Sequence, residues 1–406
     1  MTDSAPPGLG RPFWTLWSAF SATNLADGLS LIALPLLAIS ITGDARQIAA
    51  VTAFQYVPYL IFGLPAGTII DRVDRRWIAV VAQLGRAALT GTLGFTLLGG
   101  RPDIGWLFLV ASLAGCAEIL TDSGLPAIVR DLVADHQLEV ANARIMATQR
   151  VTNAFIGPPV GAFLFQVDDA LPFLVSAVVT LIGVAALLRL PGEHKPERTD
   201  EPEALLADMR VGVRFVWRHP VLRPLVIAVA LFSFFGAAVN ATSVILMTER
   251  FGLSEIAFGF TQSLDAIVAV TMSFFVSGFI RRTSHGFSQQ FAIVCFSAAM
   301  FLLGLTTTAA MAFVAVAING LSDPSWNIVS ATVRQRLVPD DVFGRMMTAY
   351  LFIAWGMRPV GAFLGGMVAE AAGPQWVNIG AGIVVGSLLI TARPLFARVD
   401  EAMRPS

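Results

Sequence analysis

Long apolar stretches alternate with short polar segments along almost the whole chain. About 20 consecutive apolar residues are enough for a helix to cross the ~30 Å hydrocarbon core of a bilayer. The pattern predicts twelve such helices, which we call span 1 to span 12, at roughly 13–42, 46–70, 77–99, 104–128, 141–166, 170–190, 221–248, 255–280, 287–308, 309–333, 343–370 and 374–397. The sequence therefore predicts an all-α membrane protein with twelve transmembrane helices.

The composition supports this interpretation. Of the 406 residues, 55% are hydrophobic and only 14% are charged, with a mean hydropathy of +0.71. So few charges cannot cover a water-soluble surface. The first residues, MTDSAPPGLGRPFW, lack the basic segment and cleavage site of a secretory signal, so span 1 should be retained.

The basic residues are distributed unevenly between the loops on the two sides. Three arginines fall in the predicted outer loops: Arg46, Arg101 and Arg250. Three more fall within spans: Arg86, Arg150 and Arg358. All the other Lys and Arg residues lie in the predicted inner segments. Because cytoplasmic loops carry the excess of Lys and Arg, both termini are predicted to be cytoplasmic.

One long hydrophilic stretch near the midpoint divides the spans into six and six. It predicts an N-terminal six-helix bundle at 1–190, a cytoplasmic linker at 191–220 and a C-terminal six-helix bundle at 221–406. Within the linker, Pro202 to His219 is typical of a short amphipathic helix on the inner membrane surface, although a solvated linker remains open.

The two halves also repeat. PVGAFL occurs at Pro159–Leu164 and again at Pro359–Leu364, and an arginine precedes each copy within the same span, Arg150 in one and Arg358 in the other. Glycines then follow each arginine on one helix face, which indicates close helix packing. A duplicated six-helix unit with both copies in one orientation is the parallel repeat of a large class of transporters.

The sequence contains no recognisable signature of an enzyme. Both cysteines, Cys116 and Cys295, lie in predicted spans, where a small apolar side chain is expected. The four histidines lie in inner loops without metal-binding spacing, and no phosphate loop or nucleophile elbow occurs. We therefore expect a protein that is not an enzyme, with no cofactor, no metal site and no nucleic-acid partner.

A charged loop follows span 2, where residues 67–77 read GTIIDRVDRRW. Asp71 precedes span 3 and is expected to satisfy the free N–H groups at that helix start. Six residues of the loop resemble the motif between spans 2 and 3 of the major facilitator superfamily: Gly67, Ile69, Asp71, Arg72, Arg75 and Arg76. Asp74 departs from it, since the family usually has glycine there. NLADGLSLIALPLLA, LPAIVRDLVADHQLEVANA and IGPPVGAFL resemble the drug-efflux branch with macrolide efflux pumps and the enterobactin exporter.

The resemblance implies a fold in which spans 1, 4, 7 and 10 line a central cavity and spans 2, 5, 8 and 11 flank it. It also implies that Arg75 meets a carboxylate at the inner end of span 4, which is Asp122 here, and that the pair latches the inner helix ends. In the second half, RRTSHG at 281–286 keeps the basic pair, with Asp323 as its expected partner. The alternative is that these arginines only set the topology.

Six ionisable residues lie within the spans: Asp27, Arg86, Glu118, Arg150, Asp265 and Arg358. Each costs about 2.5–3.5 kcal/mol on insertion, so such residues mark pathways or ion pairs. Asp27 and Glu118 lie near the middle of cavity-lining helices, and we predict that they carry protons. Asp27 has an open alternative, a permanent pairing that holds span 1 to span 5, with Arg150 as the nearby cation. Arg86 is expected to be structural.

The expected function is proton-coupled export of a drug-like, amphipathic or siderophore-like small molecule by alternating access. Candidate substrate contacts are the following: Asn24, Phe54, Tyr56, Tyr59, Phe234, Asn240 and Trp326. Uptake by a proton-coupled symporter and a transport-inactive sensor or scaffold remain open. The expected partners are the substrate, protons and the lipid bilayer, and the chain is expected to act as a monomer in the bacterial inner membrane.

Overall fold

The computed structural model describes residues 9–62, 74–134, 137–192 and 203–403. Every regular element in these residues is a helix, as predicted. Spans 1 to 6 correspond to Gly10–Ile41, Ala45–Phe62, Arg75–Gly99, Ile104–Leu132, a composite helix from Leu138 to Val167, and Leu171–Leu188. Spans 7 to 12 correspond to a composite helix from Leu222 to Arg250, Glu255–Arg282, His285–Leu305, Ala309–Gly320 with Ser322–Leu337, Asp340–Ala372, and Pro374–Thr391.

Nine of the helices in the described ranges are long and apolar enough to cross a membrane. Of the other three spans, 5 and 10 are interrupted, and the described part of span 2, Ala45–Phe62, is less apolar. Span 5 contains a π-helical turn at Arg150–Ile156, and Pro158 and Pro159 follow it directly. Because Pro159 has no N–H, the carbonyl of Phe155 loses its usual helical partner. π-helical turns of this kind are frequent at functional sites.

Span 10 is interrupted at Leu321, between its two helical segments. Pro324 cannot donate to the carbonyl of Gly320, so the helix lacks a hydrogen bond at this turn. Gly320 also packs closely on span 8, because a Cβ there would lie 2.8 Å from the carbonyl oxygen of Asp265. Asn319 and Asp323 lie on either side of the interruption, and both line a cavity described below.

The two halves repeat in their packing, which confirms the repeat inferred from PVGAFL. Span 1 packs on spans 5 and 6, and span 7 packs on spans 11 and 12 in the same way. Gly161 lies against the backbone of Leu29, where a Cβ would be 2.7 Å from the carbonyl oxygen, and Gly361 lies against the carbonyl of Phe234. Small residues thus let the backbones of spans 1 and 5, and of spans 7 and 11, approach closely.

The halves meet along two helix pairs, spans 2 and 11 and spans 5 and 8. At the predicted outer end, the N–H of Ala45 donates to Glu370 Oε2 at 2.8 Å. Nearer the middle, the rings of Tyr59 and Trp355 stack with centroids 4.7 Å apart. Ser263 Oγ of span 8 donates to the freed carbonyl of Phe155 at 2.8 Å. These contacts run from the predicted outer ends to the middle of the helices.

The linker contains a helix at Glu203–Arg218, where an amphipathic helix was predicted. It packs on the beginning of span 11, because Gly212 lies against the carbonyl of Arg345 and Val216 is buried. Val211 and Trp217 remain exposed on its other faces. At its end, His219 Nδ1 accepts hydrogen bonds from the N–H groups of Val221 and Leu222 at 3.2 and 3.3 Å, and so caps span 7.

Candidate functional site: a charged cavity between the two halves

A cavity of about 330 Å³ lies in the C-terminal half at its contact with span 2, and Tyr56 is the one described lining residue from the N-terminal half. Its walls come from spans 2, 7, 8, 9, 10 and 11. Aromatic rings form one part of the wall: Tyr56, Phe232, Phe296 and Trp326. Polar and charged side chains form another part: Asp265, Asn319, Asp323, Asn327 and Arg358. The volume and this mixture of apolar walls with a few polar groups are typical of small-molecule sites.

The charges in the cavity include both signs. Arg150 and Arg358 both lie close enough to attract the carboxylate of Asp323. The Asp323 carboxylate also accepts a hydrogen bond from Asn327 Nδ2 at 2.6 Å. Asp265 accepts one from Asn319 Nδ2 at 2.9 Å. Spans 5, 8, 10 and 11 therefore bring two carboxylates and two guanidinium groups to one region at the interface of the halves.

The guanidinium group of Arg358 lies over two aromatic rings. Its central carbon is 4.2 Å from the Trp355 ring centroid and 5.3 Å from that of Tyr56, within the range of a cation–π interaction. Tyr59 stacks on the same Trp355 ring. This cluster joins span 2 to span 11 and fixes the orientation of Arg358 at the cavity.

Several predicted substrate contacts lie elsewhere. Tyr56 and Trp326 line the cavity, and Tyr59 lies beside it, but Asn240 lines a second cavity in the C-terminal half. Asn24 is buried in the N-terminal half, where its Nδ2 donates to the carbonyl of Phe20 in the same helix at 2.9 Å. The rotation of span 1 explains this outcome, because Gly28 contacts the backbone of span 5 and Asn24, four residues earlier, lies on the same face of the helix.

Phe54 and Phe234, which were also predicted as substrate contacts, lie outside the central cavity. Phe54 stacks on Phe108 of span 4 at 4.8 Å and is 39% exposed. Phe234 lines an apolar groove with Trp217 and Val384 on the outer surface of spans 7, 11 and 12. Neither ring reaches the central cavity.

The partner of Asp27 is Arg86, and the prediction of Arg150 was wrong. The Arg86 guanidinium contacts the Asp27 carboxylate and is 2% exposed, whereas the Asp27 side chain is 20% exposed. The backbones of Gly28 and span 5 are in contact, so the carboxylate of the preceding residue points away from span 5 and towards span 3. Arg86 is buried, and its structural role remains a prediction. Glu118 lies half-buried in span 4.

Part of the span 2–3 motif lies outside the described residues, namely Gly67, Ile69, Asp71 and Arg72, and so does the side chain of Asp122. Within the described residues, the carboxylate that caps span 3 is that of Asp74, which accepts from the N–H of Arg76 at 2.9 Å. The departure from the family motif therefore supplies a cap. Arg76 also donates to the carbonyl of Leu190, at the end of span 6.

Asp323 was expected to meet the basic pair Arg281 and Arg282 near the inner surface. It lies in the central cavity instead, because the interruption of span 10 directs it towards spans 5 and 11. Asn319 and Asn327 were not predicted among the residues that line the cavity, and the contact of Trp355 with Arg358 was not predicted either. Their spacing in the sequence could have predicted these positions. Asn319 and Asn327 lie four residues before and after Asp323, and Trp355 lies three residues before Arg358, so each shares a helix face with the charged residue.

Comparisons with known proteins agree with this architecture. Residues 16–357 match the Major Facilitator Superfamily. The chain is 25% identical to the Multidrug efflux pump Tap of Mycolicibacterium fortuitum over 96% of this chain and 97% of that protein. It is 20% identical to Macrolide efflux protein A of Streptococcus pyogenes over 92% of this chain and 93% of that protein.

Two crystal structures share the fold. The nucleoside transporter NupG superposes with a TM-score of 0.73 at 13% identity, over 98% of this chain and all of that chain. A bacterial homologue of the iron transporter ferroportin in an inward-facing state gives 0.71 at 16% identity, over 97% of this chain and 99% of the other. With twelve spans in two six-helix halves and a family match over most of its length, the chain belongs to the major facilitator superfamily.

Proposed function

We propose that this protein exports a drug-like, amphipathic small molecule in exchange for protons, by alternating access. The observation that carries the proposal is the central cavity, in which Asp323 and Arg358 lie beside the rings of Tyr56 and Trp326 at the interface of the halves. Two relatives that match nearly the whole chain are named efflux proteins, which supports export of drug-like molecules.

The cavity favours a substrate with an aromatic or apolar body and a polar or charged group. Phe232 and Trp326 pack together with ring centroids 4.8 Å apart and offer an apolar wall. Arg358, Asp323 and Asn327 offer ionic and hydrogen-bonding groups opposite. Such a site binds by burying apolar surface and selects by a few polar contacts.

Alternating access requires the two halves to rock about their shared helices. The contacts of Ala45 with Glu370, and of Ser263 with Phe155, close the predicted outer side. Asp323 and Asn327 are exposed in the cavity beneath them, and Arg150, which attracts Asp323, is exposed as well. We infer that this conformation is inward-facing, and that the outward-facing state separates Ala45 from Glu370.

Proton coupling requires carboxyl groups whose protonation differs between the two states. Asp27 and Glu118 remain the proposed proton carriers. The ionised form of Asp27 is held by Arg86, so protonation would release the link between spans 1 and 3. Asp323 is a further candidate, because it is exposed in the cavity and faces Arg150 and Arg358. A proton and a substrate cation would then compete for the same carboxylate.

The proposal includes a location and an orientation. We place the protein in the bacterial inner membrane as a monomer with both termini cytoplasmic, because the arginines cluster in the predicted inner loops. Cysteine labelling from either side of the membrane tests the orientation. The chain has only Cys116 and Cys295, both in spans, so their replacement by alanine gives a suitable background.

Transport in purified form tests the function. The protein is reconstituted in proteoliposomes and supplied with aromatic cationic dyes and macrolides, with or without an imposed proton gradient. We expect gradient-driven movement of at least one compound against the direction of proton flow, abolished by a protonophore. Movement in the same direction as protons would indicate uptake, and the absence of transport over a broad substrate panel would contradict the proposal.

Alternating access has its own test. Cysteines introduced as Ala45→Cys and Glu370→Cys are joined by a short thiol-specific cross-linker. We expect cross-linking to stop transport and a reducible cross-linker to restore it on reduction, because the outer ends must separate. The single variants treated with the same reagent are the controls. Full transport by the cross-linked protein would contradict the rocking motion.

A further inference from the structure

A second cavity, of about 160 Å³, lies inside the C-terminal half between spans 7, 8, 9, 10 and 12. It lies nearer the predicted outer ends of these helices than the central cavity does. Oxygen-bearing side chains are prominent in its wall, among them Asn240, Ser243, Thr261, Asp265, Asn319 and Asn378. The remaining lining residues are mainly apolar, such as Met300 and Leu303.

Asp265 is the one charged side chain among the described residues that line this cavity. Asn319 Nδ2 donates to one of its carboxylate oxygens at 2.9 Å, which leaves the other oxygen available. Asp323 lies near it on the side of the central cavity, and Arg150 and Arg358 lie beyond Asp323. The second cavity therefore has a net negative charge in a low-dielectric environment.

Asn378 provides an independent observation. Its side chain is fully buried and lines the cavity. Its Nδ2 donates to the carbonyl of Pro374 at 3.0 Å, which leaves Oδ1 without a hydrogen-bond partner. A buried acceptor without a partner costs about 1–3 kcal/mol. Asn378 Oδ1 and the second carboxylate oxygen of Asp265 are thus two acceptors in the cavity wall that a bound positive charge would satisfy.

We propose that this cavity binds one Na⁺ ion, coordinated by Asp265 and by the amide and hydroxyl oxygens around it. Hard cations prefer oxygen ligands, and one carboxylate matches a single positive charge. The double charge of Mg²⁺ or Ca²⁺ would be only half neutralised by the single carboxylate in the described lining of this cavity. A proton would satisfy only one acceptor. The volume equals that of about five water molecules, so the ion keeps part of its hydration shell.

The position of the site indicates how the ion acts. Asp265 and Asn319 line both cavities, so their hydrogen bond forms the partition between the Na⁺ site and the substrate cavity. Na⁺ entering from the predicted outer side neutralises Asp265 without passing through the central cavity. Export would then respond to a Na⁺ gradient as well as to protons. Na⁺ binding itself does not depend on the proposed function, and it is tested without transport.

The test uses the purified full-length protein in detergent at constant pH and ionic strength. Thermal unfolding is followed by tryptophan fluorescence while choline chloride is replaced by NaCl or KCl, and binding of radioactive ²²Na⁺ is measured in parallel. We expect a saturable rise of Tm with NaCl, a smaller rise with KCl, and one bound Na⁺ per chain. Equal effects of NaCl, KCl and choline chloride, or a Tm that responds only to pH, would overturn the proposal.

Two variants locate the site. Asp265→Asn keeps the size of the side chain and should abolish both ²²Na⁺ binding and the rise of Tm. Asn378→Leu removes one ligand and should weaken Na⁺ binding about tenfold, as expected for the loss of one contact to a charged group. Asp169→Asn makes the same charge change in a loop and should bind like the wild type. Unchanged Na⁺ binding by Asp265→Asn would refute the assignment.

Discussion

Arg86 of span 3 contacts the carboxylate of Asp27 of span 1, and the two side chains form an ion pair inside the N-terminal half in which Arg86 is buried and Asp27 is partly exposed. Arg86 is 2% exposed, so removing its partner leaves a charge without compensation. Breaking such a pair on one side costs about 3–5 kcal/mol, whereas replacing both members is often tolerated. The pair therefore links span 1 to span 3, and protonation of Asp27 would break this link.

The single change Asp27→Asn should lower the thermal stability of the purified protein, and the double change Asp27→Asn with Arg86→Gln should recover most of the loss. The double variant should still bind substrate, but it should lose gradient-driven export, because the proposed carrier Asp27 no longer has a carboxyl group that can exchange a proton. Substrate binding by fluorescence and export in proteoliposomes are measured on the same preparation. Protonophore-sensitive export by the double variant would transfer the role to Glu118 or Asp323.

The loop after span 2 gives a second prediction. Asp71→Asn or Arg75→Ala should reduce transport while the protein remains inserted and folded, because the inner helix ends lose their latch. If Arg75 meets Asp122, the exchange Arg75→Asp with Asp122→Arg should restore part of the activity that either change removes. The measurement is a double-mutant cycle on transport rates. Arg11→Ala, in another predicted inner segment, is the control, and strict additivity of the two changes would argue against contact.

Arg358 gives a prediction about substrate binding. Lysine keeps the charge, but it cannot present a planar guanidinium group to Trp355 and Tyr56. Arg358→Lys should weaken substrate binding by about tenfold, in line with a cation–π interaction of ~1–2 kcal/mol in a desolvated site. Equilibrium binding to the purified protein measures it. Arg46→Lys, in an outer loop, should leave the affinity unchanged, and an equal loss in both variants would contradict the role of Arg358.

The repeated glycines give a prediction about packing. Gly161→Ala and Gly361→Ala each introduce a methyl group against a neighbouring backbone, and each should destabilise the protein by about 1–3 kcal/mol. Gly85 also lies within a helix, but a Cβ there meets no atom within 4 Å. Gly85→Ala should therefore be neutral or stabilising by up to ~1 kcal/mol. Thermal unfolding of the three purified variants measures these effects. An equal change of Tm in all three variants would contradict the close packing at Gly161 and Gly361.

His219 gives a prediction about pH. Partial burial lowers the pKa of His219 below its ordinary value of 6.5, and the neutral ring caps span 7 through Nδ1. As the pH falls, His219 takes up a proton at a higher pH in the unfolded chain than in the folded protein. The contribution of His219 to stability should therefore be constant above pH 6.5 and should fall as the pH decreases through the lowered pKa. His219→Asn can cap without titrating, so it should reduce this loss. An identical pH dependence of Tm in both proteins would contradict the assignment.

The sequence by itself determined the features that depend on local pattern. The apolar stretches specified twelve helices because a bilayer requires about 20 apolar residues for each crossing. The repeated PVGAFL with its preceding arginine indicated two equivalent halves, and the spacing of Gly157 and Gly161 indicated a helix face in close contact, which the structure confirms at Gly28 and Leu29. These features follow from composition and periodicity, which are properties of the local sequence and do not depend on tertiary contacts.

Tertiary structure decided which charged groups meet. The pairing of Asp27 with Arg86 depends on the rotation of span 1 about its axis, which its contact with span 5 sets. The position of Asp323 depends on the interruption of span 10 before Pro324. Asp323 was expected near the inner surface, but it lines the cavity. Helix rotation and helix bending arise from packing between residues distant in sequence, so the hydropathy pattern of a single span does not encode them.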